Sequence, residues 1–401
     1  MGIKCKSKGV IMKKIFSYLI MIIFLLFSFQ SNVLATETQE QLDLKSEGAV
    51  LLDTETNAVL YAKNANEKMY PASLTKIATA IYAIDKGNLD SLVTVSENAV
   101  RQDGTRVYLN EGEQVPLKKL IQGMLVNSGN DAAVAIAEFL DGSVERFSEN
   151  LNEYLKTKIG VTNTHFTNPN GLHDENHYTT AMDLALMTNY AMKNPIFAEI
   201  FGTKILDWQG QSWNTKILTH HRMLKGELPY PGISGGKTGY TTEAKQTLAT
   251  TASNGTLKLT AVVLKSDLKN DKYNDTATLF DYGFKSYQHA MIKQEEVFKV
   301  DNKEFYPEKD ILITENLSGN LKKVSNEGLL SIANNNGHVI QSVQLKLKEP
   351  PKPQKAPVIS KKVNKKESPL ILVNTLIGIF IILCTVTIIG MRRRKVFTRN
   401  Y

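Results

Sequence analysis

Cysteine is nearly absent: the 401 residues hold two, Cys5 and Cys384. Both lie in or beside terminal apolar runs, so the body between them has no thiol and no disulfide. A body of that size must be held by a packed core. An exported domain without disulfides suits a bacterial cell surface better than a eukaryotic secretory pathway. Cys5 stands before the apolar run, which excludes a lipid-modified cysteine at the cleavage site. Acidic residues are missing from both ends. Residues 1–35 hold five Lys, residues 392–401 hold four Arg and one Lys, and neither stretch holds an acid. Removing those ten charges from the net +8 leaves −2. Residues 349–369 carry six Lys against two Glu, so the remaining globular part stands near −6. No nucleic-acid face is expected. The seven His include no H-E-x-x-H and no comparable spacing. No metal and no cofactor are therefore expected. There are no internal repeats.

What is present at each end is apolar. Lys13 and Lys14 precede "IFSYLIMIIFLLF", which closes on "SNVLA" with Val33 and Ala35 at the positions a signal peptidase reads. Residues 1–35 are expected to be a signal peptide, whether translation starts at Met1 or Met12. At the other end, residues 370–391 run without a charge, enough to cross a bilayer. "RRRK" follows at once, so this side is expected in the cytoplasm and everything before residue 370 outside. The expected location is a bacterial cell membrane, single-pass, with residues 392–401 as a basic cytoplasmic tail. "PPKPQKAPVISKKVNKKESP" reads as an extended linker within residues 349–369.

Between the ends, residues 48–64 read as a hairpin around "DTETN". Helical spacing follows in residues 115–140, interrupted at "NSGN", then in "VERFSENLNEYLKTKIG" and "TAMDLALMTNYAMKN". "TLATTASNGTLKLTAVVLKSD" gives two strands about a turn, and "ATLFDYGFKSY" a closing helix. Strands at both ends with helices between them predict one sheet built from distant parts of the chain. The strand-like alternation after residue 288 predicts a small all-β domain over residues 289–348, following a larger mixed domain over residues 36–288.

Three short elements carry the chemistry. Ser73 and Lys76 lie three apart at the start of a helix, on one face. A serine hydroxyl is a poor nucleophile until a base takes its proton. A lysine can be that base when burial or nearby positive charge lowers its pKa. Free N–H groups at the helix start can hold an oxyanion. Ser128-Gly129-Asn130 falls in a break between helical segments, where a hydroxyl can relay a proton and an amide can hold a carbonyl. Lys237-Thr238-Gly239 enters a strand after Gly235 and Gly236; a lysine and a hydroxyl there suit a carboxylate, and the glycines let a substrate backbone lie close. Each element alone is weak. Ser266 to Lys269 is a second S-x-x-K, and Ser318-Gly319-Asn320 a second S-G-N. Both are read as chance; Asp131 is read as a helix cap and His177 as a structural histidine. The conjunction of the three is the signal.

In that conjunction the chain resembles the low-molecular-mass penicillin-binding proteins, the D-alanyl-D-alanine carboxypeptidases, serine peptidases related to β-lactamases. The resemblance covers residues 40–348 and includes "VLLDTETNAVLYAKN", "FTNPNGLHDENHYTTAMDLA" and "GKTGYT". It implies an α/β (α+β) transpeptidase-like domain, with a five-stranded antiparallel sheet between helical clusters, then the small β domain. It implies that Ser73 attacks the penultimate D-alanine carbonyl with Lys76 as base. Ser128 would pass a proton to the leaving amine and Asn130 contact the substrate amide. Lys237 and Thr238 would hold the terminal carboxylate, Gly239 would border it, and the N–H groups of Ser73 and Tyr240 would form the oxyanion hole. The implied partners are a peptidoglycan pentapeptide ending in D-Ala-D-Ala, β-lactams, and the membrane through the C-terminal helix. Two positions depart from the family pattern: Gly236, usually aliphatic, and Lys245, commonly glycine. Rival readings are a transpeptidase or β-lactamase on the same scaffold, or an inactive scaffold that binds wall peptide; intact Ser73, Lys76 and Lys237 argue against the last.

Overall fold

The computed structural model describes residues 42–348. The expected signal peptide, linker, membrane helix and basic tail lie outside the described residues. Among the described residues, no helix is long and apolar enough to cross a membrane.

The predicted hairpin is β1 (Gly48–Asp53) and β2 (Val59–Lys63). Its turn is closed by Asp53, whose Oδ1 accepts from the N–H groups of Glu55 at 2.8 Å and Thr56 at 3.0 Å. Late in the chain come β3 (Ile233–Thr241), β4 (Lys245–Ser253) and β5 (Lys258–Ser266). The five strands form one antiparallel sheet in the order β2-β1-β5-β4-β3. The first strand pairs with the last, Val50 opposite Val262. Period-two alternation then sends side chains to two cores. Val50, Leu52, Val262 and Leu264 face one; Ala49, Leu51, Ala261 and Val263 face the other.

The first core is helical: α1 (Thr75–Lys86), α2 (Leu117–Val126), α3 (Asn130–Asp141), α4 (Val144–Tyr154) and α5 (Ala181–Met192). Every residue of α1 from Thr75 to Ile84 is buried, as expected for a helix with apolar or small residues all round. Ordinary caps start α4 and α5: Ser143 Oγ accepts from Arg146 N–H, and Thr180 Oγ1 from Asp183 N–H. The second core lies under α6 (Asp271–Ser286), which supplies Tyr273, Leu279 and Phe280.

The region after α6 is all β. Strand Tyr287–Ile292 begins directly at the helix end and pairs with Ile311–Asn316. Strands Asn320–Val324, Leu329–Asn334 and Val339–Gln344 form a separate three-stranded sheet. No linker precedes this region, because it completes the second core: Phe305, Ile313, Leu330 and Ile332 cluster with Leu51 and Phe280. A polar tie fixes the junction. The buried Asp53 Oδ2 meets His289 Nε2 at 2.7 Å and accepts from Thr314 Oγ1 at 3.1 Å.

Candidate active site

Ser73 does not sit on the α-helix itself. It lies in a short tight turn, Ala72–Leu74, that runs straight into α1, with Ala72 at φ +49. A non-glycine residue in that region is strained, and such strain persists where neighbours impose it. Here the neighbours are visible. Thr75 Oγ1 donates to Ala72 O at 2.9 Å and lies 2.8 Å from His177 Nε2. Thr167 N–H donates to His177 Nδ1 at 3.0 Å, so the ring proton sits on Nε2 and points at Thr75. Burial, first, holds His177 at a pKa of about 3, so the imidazole is neutral. Its role is to brace the nucleophile turn.

Lys76 is fully buried beneath Ser73. Its Nζ lies 3.0 Å from Ser73 Oγ, 2.7 Å from Asn130 Oδ1 and 2.6 Å from Asn170 O. The last two are pure acceptors and take two N–H bonds. A neutral amine then has its lone pair left for the serine hydroxyl. Burial pushes the Lys76 pKa well down, and the positive charge of Lys237 pushes it further. Both effects favour the neutral amine that a base must be.

Asn130 begins α3, and Ser128 stands just before it at φ +61. The Asn130 amide is already engaged: Oδ1 on Lys76, Nδ2 donating to Asp103 O at 2.6 Å. In this state it positions the base. Asp131 is not a helix cap. Its buried carboxylate accepts from the N–H groups of Val107 at 3.0 Å, Leu109 at 3.2 Å and Ala132 at 2.8 Å, tying the loop before α2 to α3. Asp131→Ala leaves buried donors unpaired, each worth about 1–3 kcal/mol. A loss of at least about 3 kcal/mol in urea unfolding is expected, and a loss under about 1 kcal/mol would refute this anchor.

The third element arrives on β3. Lys237 is 2% exposed, and its Nζ donates to Ser128 Oγ at 3.0 Å and to Thr238 O at 2.9 Å. Burial, then the charge of Lys272, lowers its pKa to about 7. Ser73, Ser128, Thr238, Gly239 and Tyr240 line one cleft of ≈ 390 Å³. Lys76, Asn130 and Lys237 are bonded to its lining from behind. The sequence reading did not single out Lys272, which lines the same cleft, donates to Gln246 Oε1 at 2.8 Å and is lowered to about 8, chiefly by burial. Lys269, the lysine of the second S-x-x-K, also lines the cleft, while its partner Ser266 is buried against Ser46 Oγ at 2.7 Å. The second S-x-x-K was read as chance and no local signal marks Lys272; both lysines follow β5, which returns the chain alongside β4 and into α6. No Asp or Glu lines the cleft, so its field favours an anion.

The departure at Lys245 has a physical reading. The residue opens β4 at φ +54, a conformation that suits glycine, and its ammonium pairs with Asp267 at 2.5 Å. Among the described residues, no three His, Cys, Asp or Glu side chains converge as a metal site.

The arrangement can activate a hydroxyl, hold an acyl oxygen and bind a carboxylate, and the chain as a whole is similar to known proteins. A family profile for D-alanyl-D-alanine carboxypeptidases matches residues 35–268. The D-alanyl-D-alanine carboxypeptidase DacF of Bacillus subtilis is 35% identical over 294 residues, covering 71% of this chain and 74% of that protein. DacA of Haemophilus influenzae is 32% identical over 262 residues, and the match spans 60% of this chain and 62% of DacA. Among solved structures, penicillin binding protein 5 from Haemophilus influenzae superposes with a TM-score of 0.66 at 25% identity, over 77% of this chain and 98% of that one. A D-alanyl-D-alanine carboxypeptidase from Mycobacterium tuberculosis gives 0.58 at 29% identity, over 62% and 94%. A buried amine under a serine on a strained turn, on this fold and with this kinship, leads to one conclusion: the chain belongs to the D-alanyl-D-alanine carboxypeptidase family of penicillin-binding serine peptidases.

Proposed function

We propose that the protein removes the terminal D-alanine from peptidoglycan stem peptides ending in D-Ala-D-Ala, at the outer face of a bacterial cytoplasmic membrane. The observation that carries this reading is the Lys76 Nζ to Ser73 Oγ approach of 3.0 Å, in a pocket that disfavours the ammonium. Lys76 takes the hydroxyl proton as Ser73 Oγ bonds to the penultimate carbonyl carbon. The backbone N–H groups of Ser73 and Tyr240 hold the oxyanion. The C–N bond then breaks, and the leaving amine receives a proton through Ser128, which touches Lys237. Lys237, Thr238 and Lys272 attract the terminal carboxylate, whose charge in turn favours the ammonium form of Lys237. Water cleaves the ester and frees the serine. A β-lactam enters the same sequence and stops at the acyl-enzyme.

The apolar run 370–391 and the basic residues after it support a membrane tether, and residues 1–35 support export. A fixed enzyme suits a polymeric substrate that cannot diffuse to it.

The test uses the full chain in membranes. Fluorescent penicillin is expected to label the wild type covalently, and D-alanine to be released from a D-Ala-D-Ala pentapeptide. Ser73→Ala should lose both. Equal labelling of the two proteins would remove Ser73 as nucleophile, and labelling without D-alanine release would leave a penicillin-binding scaffold instead of a carboxypeptidase.

A further inference from the structure

We infer that His221 is a positioning residue: its ring replaces the side chain that β3 lacks at Gly236, and so fixes the strand segment that presents Lys237 and Thr238. The proposal rests on the carboxypeptidase reading for its substrate.

The space is specific. A Cβ built on Gly236 would lie 2.3 Å from His221 Cδ2 and 2.4 Å from His221 Nε2. The ring therefore occupies the place where a strand residue would project. Gly236 pairs with Thr250 on β4, and His221 Nε2 lies 2.8 Å from Thr250 Oγ1. Leu224 N–H donates to His221 Nδ1 at 3.1 Å. That bond makes Nδ1 an acceptor, so Nε2 carries the proton and donates it to Thr250. One ring thus caps the short helix Arg222–Lys225, covers Gly236 and bonds the residue opposite it. The next residue along β3 is Lys237. The ring also meets Tyr273 edge-on, centroids 5.7 Å apart, and Tyr273 and its neighbour Lys272 line the cleft. His221 is 1% exposed, and burial, followed by the charges of Lys272 and Lys237, keeps its pKa near 3. A neutral ring is what this place requires, because the cations that face it would repel a charged one.

The residue at 236 and the side chain at 221 are then alternatives for the same volume. An aliphatic residue at 236 fits only if 221 is small. This accounts for Gly236 where the family pattern has an aliphatic residue.

Four full-length proteins test the pair: wild type, His221→Ala, Gly236→Val and the double variant. His221→Ala removes a buried contact and one hydrogen bond beside the carboxylate clamp. The expected result is a KM for the D-Ala-D-Ala pentapeptide raised roughly tenfold, with kcat changed far less. Gly236→Val alone should lose more, in both melting temperature and kcat/KM, since its methyls meet the ring. Adding His221→Ala to Gly236→Val should restore part of both. A lowered melting temperature in His221→Ala with KM unchanged would reduce His221 to a core residue and overturn the positioning role. Equal effects of Gly236→Val in both backgrounds would overturn the pairing. If the wild type releases no D-alanine, the function reading falls separately; the penicillin acylation rates of the same four proteins then decide the positioning.

Discussion

Lys76→Met is expected to slow acylation of Ser73 by about 10²–10⁴-fold, the usual contribution of a positioned base. Methionine matches the length of the lysine stem and fills the pocket, so the serine turn keeps its support. What is lost is the lone pair 3.0 Å from Oγ. The same variant should lose the pH-dependent destabilisation that the buried amine imposes, while Asn130 Oδ1 and Asn170 O lose a donor. The sign follows from linkage: the folded pKa of Lys76 lies below its unfolded value, so the unfolded chain binds the extra proton. Stability of the wild type is therefore reduced below the ordinary lysine pKa and rises as pH climbs toward it. Removing the amine removes that penalty, a case of function held against stability. Acylation in the wild type should fall as pH drops through the folded Lys76 pKa, because the protonated amine cannot accept. Stopped-flow penicillin acylation against pH, with urea unfolding of both proteins, reads all of this. Wild-type acylation rates in Lys76→Met at neutral pH would end the base assignment.

Gly171→Ala is expected to damage both stability and acylation. Gly171 has φ +82, and a Cβ there would lie 1.9 Å from Ala72 O and 2.9 Å from Thr75 Oγ1. Both belong to the strained turn that aims Ser73. The left-handed backbone alone disfavours alanine by about 1–2 kcal/mol. The overlap with a backbone carbonyl adds about 1–3 kcal/mol more, since the turn must move. A loss of roughly 2–5 kcal/mol in unfolding free energy is expected from that sum. In the molecules that remain folded, a displacement of order 1 Å at the nucleophile should lower penicillin acylation about 100-fold. Gly160→Ala is the control. It has φ +84 and nothing within 4 Å of its Cβ. Only the backbone term remains, so a loss of about 1–2 kcal/mol with normal acylation is expected. Equal behaviour of the two variants would show that the contact with Ala72 has no role in aiming Ser73.

Much of the site was legible. Ser73 and Lys76, Ser128 and Asn130, and Lys237 through Tyr240 come to one cleft, as their motifs imply. Motif spacing works here because each piece is local: one turn of helix, one loop, one strand. The five-stranded sheet was legible in its hairpins but not in its order, because pairing of β1 with β5 joins the two ends of the domain. The hairpin Ile205–Gln209 with Asn214–Leu218 went unread, since its strands are short and mostly exposed and lack a clear apolar period. Asp131 was misread as a cap because Val107 and Leu109, which it holds, lie more than twenty residues upstream.

The sequence by itself determined which groups are available, and it marked the two apolar ends. Both depend only on neighbours along the chain: helical spacing, run length, adjacent charge. Tertiary structure decided what those groups are. It buried Lys76 and set Lys237 near it, which turns an ammonium into a base. It turned Asn130 toward that base, brought Lys269 and Lys272 into the cleft, and placed His221 where Gly236 has no side chain. Desolvation and Coulomb interaction depend on distance in space and on exclusion of water, and neither can be counted along a chain.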